Sequence, residues 1–166
     1  MPISREKKSE ILAKLQKIFA GSKSLAFVNF HKLTVGNAQA LRRKLREAGS
    51  GYFVAKKSLI EKALKGGAVK GEIPKLDGEI AVAYLVEGGD DVTAPSREVF
   101  GFEKKLEKAV SLVGGIFEGM FKGKDEMVVI ASIPSRQTLL AQFVNLVNSP
   151  LQRFAVSLSE VAKKKA

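Results

Sequence analysis

Residues 33–64, LTVGNAQALRRKLREAGSGYFVAKKSLIEKAL, carry two helix signals around one short strand signal. Thr34 stands where an N-cap hydroxyl can take an orphan amide of the first turn. Behind it Val35, Ala38, Leu41, Leu45 and Ala48 recur at helical spacing, and Gly49 stands where a left-handed C-cap is expected. At about 100° per residue, Arg42, Arg43 and Arg46 share one sector of roughly 100°, away from Leu41 and Leu45. The helix is therefore predicted to be apolar on one face and cationic on the other. Tyr52-Phe53-Val54-Ala55 reads as a short strand, and Ser58 with Glu61 matches a capping box that opens another helix. Lys56 and Lys57 lie beside that helix start, where side-chain charge and free amides favour an anion together. Helix, strand and capped helix are expected to set arginines and lysines on one rim. That is the chemistry of a phosphate-backbone reader.

Outward from this stretch, alternating elements continue. On the amino-terminal side, Leu25-Ala26-Phe27-Val28 is continuously apolar, as in a strand covered on both faces. Before it, Ser4 can cap a helix whose Ile11, Leu12, Leu15, Ile18 and Phe19 form one stripe, ended by Gly21. Phe30-His31-Lys32 reads as the turn into the Thr34 helix. On the carboxy-terminal side, residues 66–78 read as a loop, residues 80–86 as a buried strand and residues 87–91 as a turn. Residues 92–106 are weakly helical with Pro95 near the start. Residues 110–117 read as a strand interrupted at Gly114-Gly115, a bulge signal. Lys122 to Met127 is a polar loop or short helix. This is an α/β pattern, predicted to give a compact mixed-sheet domain flanked by helices over residues 1–133.

Composition narrows the function. The net charge of +11 is confined to one part of the chain. Residues 1–70 hold sixteen Lys and Arg against four Asp and Glu, whereas residues 71–166 hold twelve against thirteen. A solubility device would be spread out, and a polyanion site is concentrated. There is no cysteine, which excludes disulfides and thiolate metal sites. The first residues, MPISREKKSE, lack the apolar core of a signal peptide, and residues 80–86 are too short to span a bilayer. These features are those of a cytoplasmic protein. No nucleophile elbow, Walker loop or dinucleotide-binding glycine pattern is present. His31 is the lone histidine. Glu87, Asp90 and Asp91 could at most hold a hard cation weakly in a solvated turn. No metal, no cofactor and no catalysis is expected.

From Pro134 the texture changes. Leu139, Phe143, Leu146 and Val147 share a helical face, and Ser149-Pro150-Leu151-Gln152 is a helix start signal inside a helical run. Beyond it Leu151, Phe154, Ala155, Leu158, Val161 and Ala162 occupy a sector of about 120°. Residues 134–166 are therefore predicted to be a protruding amphipathic helix, kinked between two segments and ending in three lysines that suit a helix carboxyl end. Its apolar stripe must be buried, by folding back on the core, by lying on a membrane or by capturing a partner.

These pieces together resemble the family of the bacterial large-subunit ribosomal protein ten, the stalk-base protein. The residues that carry the resemblance are LTVGNAQALRRKLREAGSGYFVAKKSL, the central IAVAYLV and the tail NSPLQRFAVSLSEVAKKK, in the right order over nearly the whole chain. The resemblance implies an amino-terminal domain on the ribosomal RNA of the GTPase-associated centre, next to another stalk-base protein. It also implies a carboxy-terminal helix that carries dimers of the acidic stalk protein, which recruit translational GTPases. By position, Arg42, Arg43, Arg46, Lys56 and Lys57 become RNA-binding candidates, with Arg5, Lys7, Lys8 and Lys32 as further cations of the basic part. Where the family often shows Lys-Asn-Thr, this chain has Lys56-Lys57-Ser58, so a point charge replaces the middle amide. The dimer-binding face would be Leu151, Phe154, Ala155, Leu158, Val161 and Ala162, with Phe143 and Val147 before them. The short tail favours two dimers over three. Competing classes are a stand-alone RNA-binding or RNA-chaperone module with a self-associating tail, and a small phosphoesterase using Glu87, Asp90 and Asp91.

Overall fold

The computed structural model describes residues 5–65, 76, 78–86, 88–89, 91–106 and 109–165. The elements run α1 (Arg5–Gly21), β1 (Ser24–Phe30), α2 (Val35–Glu47), β2 (Ser50–Val54), α3 (Lys57–Lys65), β3 (Ile80–Leu85), α4 (Ala94–Lys105), β4 (Val110–Phe117), β5 (Met120–Lys122), α5 (Lys124–Ser132) and α6 (Arg136–Lys165). The chain divides into two compact units, Met1–Ile133 and Pro134–Ala166.

The helix read first forms as its end signals dictate. Thr34 Oγ1 accepts from the Asn37 amide, and Gly49 takes the left-handed conformation at φ 67. Leu41 and Leu45 are fully buried. Val35, assigned to the same stripe, is instead 75 % exposed, because in the first turn it lies beyond the edge of the surface that the helix covers. The second helix starts two residues earlier than the capping box requires. The Lys56 carbonyl already accepts from Leu59 and Ile60, so Ser58 sits inside the first turn of α3 and not at its cap. Ser4 lies outside the described residues, as does most of the expected loop over 66–78.

The five strands pair in the order β2-β3-β1-β4-β5. The α/β domain is as expected, and all four pairings are antiparallel, where the alternation of strands and helices suggested a mixed sheet. β3 lies between β1 and β2 and runs against both, while β4 runs against β1 and β5 against β4. β1 and β2 therefore point the same way without touching, as in a split βαβ unit. β1 is central. Its alternate residues feed two core layers, as a period of two requires. Ala26 and Val28 pack with Leu41 and Leu45 of α2, Val99 and Phe102 of α4, and Met127 and Ala131 of α5. Leu25 and Phe27 pack on the other face with Leu15 of α1 and with Ile60, Ala63 and Leu64 of α3. Each fully buried Val, Leu, Ile, Phe or Met side chain among them contributes about 1.5–3 kcal/mol.

The bulge expected at Gly114-Gly115 is there. Phe27 pairs with Gly114 and Val28 with Leu112, so Val113 is the extra residue. The Leu112 amide donates to the Glu103 carboxylate of α4, which keeps a bulged backbone group satisfied. Residues 122–127, expected as a loop or short helix, are divided between the three-residue strand β5 and the start of α5. The hairpin turn at Glu118-Gly119, with both residues at positive φ, supplies the reversal.

In the second unit, α6 is one long helix with Pro150 inside it, where two helical segments meeting at a kink were expected. Proline removes only its own bond to the carbonyl four residues back, and the neighbouring bonds carry the helix across. Ser135 caps it by accepting from the Thr138 amide. At about 1.5 Å per residue, 30 residues span roughly 45 Å.

Candidate nucleic-acid interface

The cationic residues of α2 are exposed because the helix must bury Leu41 and Leu45. Arg42, Arg43 and Arg46 all face solvent. The Arg42 guanidinium lies 5.7 Å from the centre of the Tyr52 ring on the edge strand β2, near enough for a cation–π attraction. Arg43 pairs with Glu47 one turn on, at 3.1 Å, in an exposed contact worth only a few tenths of a kcal/mol. Lys44, between them in sequence, turns the other way, and its ammonium sits 5.4 Å from the Phe102 ring centre of α4. The fork of Arg42 is thus oriented by a ring. That of Arg43 is held by a pair weak enough to give way to a phosphate.

Burial pushes the Tyr52 phenol up to about 12, opposed by the nearby Arg42 charge. An unfolded tyrosine ionises near 10 while the folded one keeps its proton. Its contribution to stability is therefore complete below pH 10 and lost as pH rises towards 12. Tyr52→Phe is expected to make the alkaline fall of the melting temperature shallower across that window. Thermal melts of both proteins from pH 9 to 12 check it, and parallel curves would mean that Tyr52 does not keep its proton in the fold.

The lysines occupy a different place. β1 and β2 end side by side with the start of β3 between them, and the chain enters α3 at Lys56-Lys57. Phe30, Val54, Ala55, Lys56, Lys57, Gly78, Glu79 and Ile80 line a cleft of about 440 Å³ there. Lys56 and Lys57 are exposed, and Val54 is 44 % exposed at the end of its edge strand. Lys32, also exposed, follows Phe30 by two residues in a turn where its φ is 51.

The predicted single rim is therefore corrected. α2 packs on one face of the sheet and α3 on the other, so the arginines belong to one layer and Lys56-Lys57 open the opposite one. The edge strand β2 lies between them, with Tyr52 under Arg42 and Val54 leading to Lys56. Lys7 and Lys8 are exposed on α1, in the layer that holds α3. Arg5 opens α1, and its side chain lies outside the described residues. Sequence reasoning passed over Phe30, Val54 and Glu79 as a group. They come from three strand ends far apart in the chain, and no local pattern joins them.

Asp91 is already engaged within the fold. It accepts from the Thr93 amide and hydroxyl and pairs with Arg97 at 2.7 Å. Burial by itself pushes the carboxyl up, but these bonds and the Arg97 charge outweigh that and hold it below its usual range. Glu87 and Asp90 lie outside the described residues. Among the described residues no group of three or more potential ligands could hold a metal ion.

The second unit offers the opposite chemistry. Phe143, Val147, Leu151, Phe154, Leu158 and Val161 are all exposed on α6. Because the helix is continuous, these six share one sector of roughly 80°, and Ala155 and Ala162 widen it to roughly 120°. The stripe passes Pro150 without a change of face. Among the described residues no single helix is long and apolar enough to cross a membrane.

Comparison with known proteins gives the family of the chain. A family model described as Ribosomal protein L10 matches residues 3–104, which take in the basic part and end within α4. The large ribosomal subunit protein uL10 of Clostridioides difficile is 37 % identical over 163 residues, covering 98 % of this chain and 92 % of that protein. Its counterpart in Shouchella clausii is 34 % identical over 160 residues, 96 % of this chain and 94 % of the relative. That of Leptothrix cholodnii is 32 % identical over 166 residues, 100 % and 88 % of the two chains.

Proposed function

The chain belongs to the ribosomal protein L10 family, and from that premise we propose that residues 1–133 bind ribosomal RNA at the stalk base while residues 134–166 carry dimers of the acidic stalk protein. The family is one of structural proteins of the large ribosomal subunit, not of enzymes, and its members work in the cytoplasmic ribosome during translation. The observation that carries the RNA reading is the division of labour on α2. Leu41 and Leu45 are the residues the helix buries in the core, and Arg42, Arg43 and Arg46 stand in solvent with only weak contacts, to the Tyr52 ring and to Glu47. Guanidinium groups so placed suit phosphate oxygens, which accept their paired donors. The RNA of the GTPase-associated centre, beside a neighbouring stalk-base protein, is the partner this reading assigns.

For α6, the supporting observation is an apolar stripe left in water along most of its length. Docked dimers of an acidic protein would cover it, two of them on a helix this short, and the terminal lysines supply the complementary charge. The dimers in turn would meet translational GTPases.

Phosphate contacts release counterions, so affinity falls with salt by about 0.9 logarithmic units per contact on a duplex. Replacing Arg42, Arg43 and Arg46 together with alanine is expected to flatten the salt slope by roughly two to three units without lowering the melting temperature. Filter binding to a transcript of the GTPase-associated RNA across a salt series reads the slope. An unchanged slope would take the RNA site off α2.

A further inference from the structure

We propose that the cleft at the ends of β1 and β2 takes a single unstacked RNA base, with its flanking phosphate on Lys56 and Lys57. This deepens the RNA reading above and rests on it. The cleft's volume of about 440 Å³ lies in the range of pockets that enclose a small planar molecule. Its lining is mostly apolar. Phe30 contributes an aromatic side chain, half-buried and anchored against the core, and Val54 and Ala55 supply aliphatic surface beside it. The rim is cationic through Lys56 and Lys57.

Phosphate alone would need only the charges, and an apolar ligand alone would need only the walls. An extruded nucleotide needs both within a few ångströms, and RNA recognition outside helices uses aromatic side chains under splayed bases. Glu79 fits the same occupant. As an acceptor without donors it repels phosphate but suits the N–H edge of a base, which sets the phosphate towards the lysines. The setting agrees as well. β1 and β2 run in the same direction, and the cleft lies beyond their carboxyl ends, beside the start of β3. The rim belongs to the part of the chain that holds sixteen of the twenty-eight cations. With the α2 arginines on the other layer, the two patches would grip different features of one RNA, a duplex backbone and an unpaired nucleotide.

The test uses the full chain and the GTPase-associated RNA transcript. Phe30→Leu keeps an apolar side chain and removes the ring. It is expected to weaken binding about five- to a hundredfold while leaving the salt slope at the parent value, because no phosphate contact is lost. Val54→Trp adds no charge, sits at the exposed end of an edge strand that tolerates an aromatic, and fills the cleft with its own indole. It should give the same loss at the same slope, and it decides the matter if Phe30→Leu folds poorly. Lys56→Ala and Lys57→Ala should instead each lower the slope by about one. If the parent binds with a steep slope and Val54→Trp binds as tightly as the parent, the base pocket is overturned and the RNA reading stands. If the parent itself shows no salt-dependent binding, both fall.

Discussion

Phe154→Ala combined with Leu158→Ala is expected to strip the protein of its acidic dimers while the RNA salt slope stays at the parent value. Phe154 is 65 % exposed and Leu158 56 %, one turn apart near the middle of the apolar sector of α6. Apolar surface left in water is unfavourable by about 25 cal/mol per Å², so a stripe of this extent needs cover. Helix-in-groove docking is anchored by side chains at this spacing, and central anchors cost about 2 kcal/mol or more when truncated. Two of them amount to about 4 kcal/mol, or close to a thousandfold in affinity. A membrane surface would cover the stripe only with a strongly charged polar face opposite it. Gln152 and Ser159 are neutral, the Ser157 and Ser159 hydroxyls turn back to helix carbonyls, and the lysines are confined to the end. Size-exclusion chromatography with light scattering on the protein mixed with its stalk partner reads the stoichiometry. A double variant that elutes with every dimer in place would move the anchors to the Phe143 segment, and a parent that carries none would exclude this class of partner.

What could be read from the sequence was what neighbours in the chain decide. Thr34 and Gly49 bound α2 because a hydroxyl cap and a left-handed glycine act within one turn. The apolar run at Leu25 announced a strand covered on both faces, and burial on both sides of β1 follows from it. The arginine face followed from helical spacing alone. What distant residues decide was hidden. The insertion of β3 between β1 and β2 is a pairing across more than twenty-five residues, and it keeps β1 and β2 from pairing with each other in parallel. The cleft shares that origin, with Phe30, Val54 and Glu79 joined only by the strand order. β5, at three residues, is too short to show a period. At Pro150 the start signal competes with a helix already running, and one missing hydrogen bond does not end that helix.

The bulge on β4 leads to the other large effect, Gly115→Ala, expected to cost roughly 3 kcal/mol and to lower the melting temperature by roughly 10 °C. Gly115 pairs with Ala26 beside the bulge at Val113. A Cβ added there would stand 2.3 Å from the Leu25 carbonyl oxygen and 2.5 Å from the Met127 methyl carbon. The methionine can swing aside, since its side chain has several soft torsions. The carbonyl cannot, because β1 is bonded to β3 on one side and β4 on the other and carries both core layers. The collision must be relieved by parting β1 from β4, at the centre of the sheet. Gly101 is the control. It lies inside α4, and an added Cβ there meets nothing within 4 Å. Gly101→Ala should therefore stabilise by up to about 1 kcal/mol, because alanine loses less backbone entropy in a helix. The same chemical change is thus expected to act with opposite signs at two glycines, and differential scanning calorimetry separates them. If Gly115→Ala melts with the parent, β1 and β4 do not meet in this register, and the bulge that sets the strand's path is misplaced.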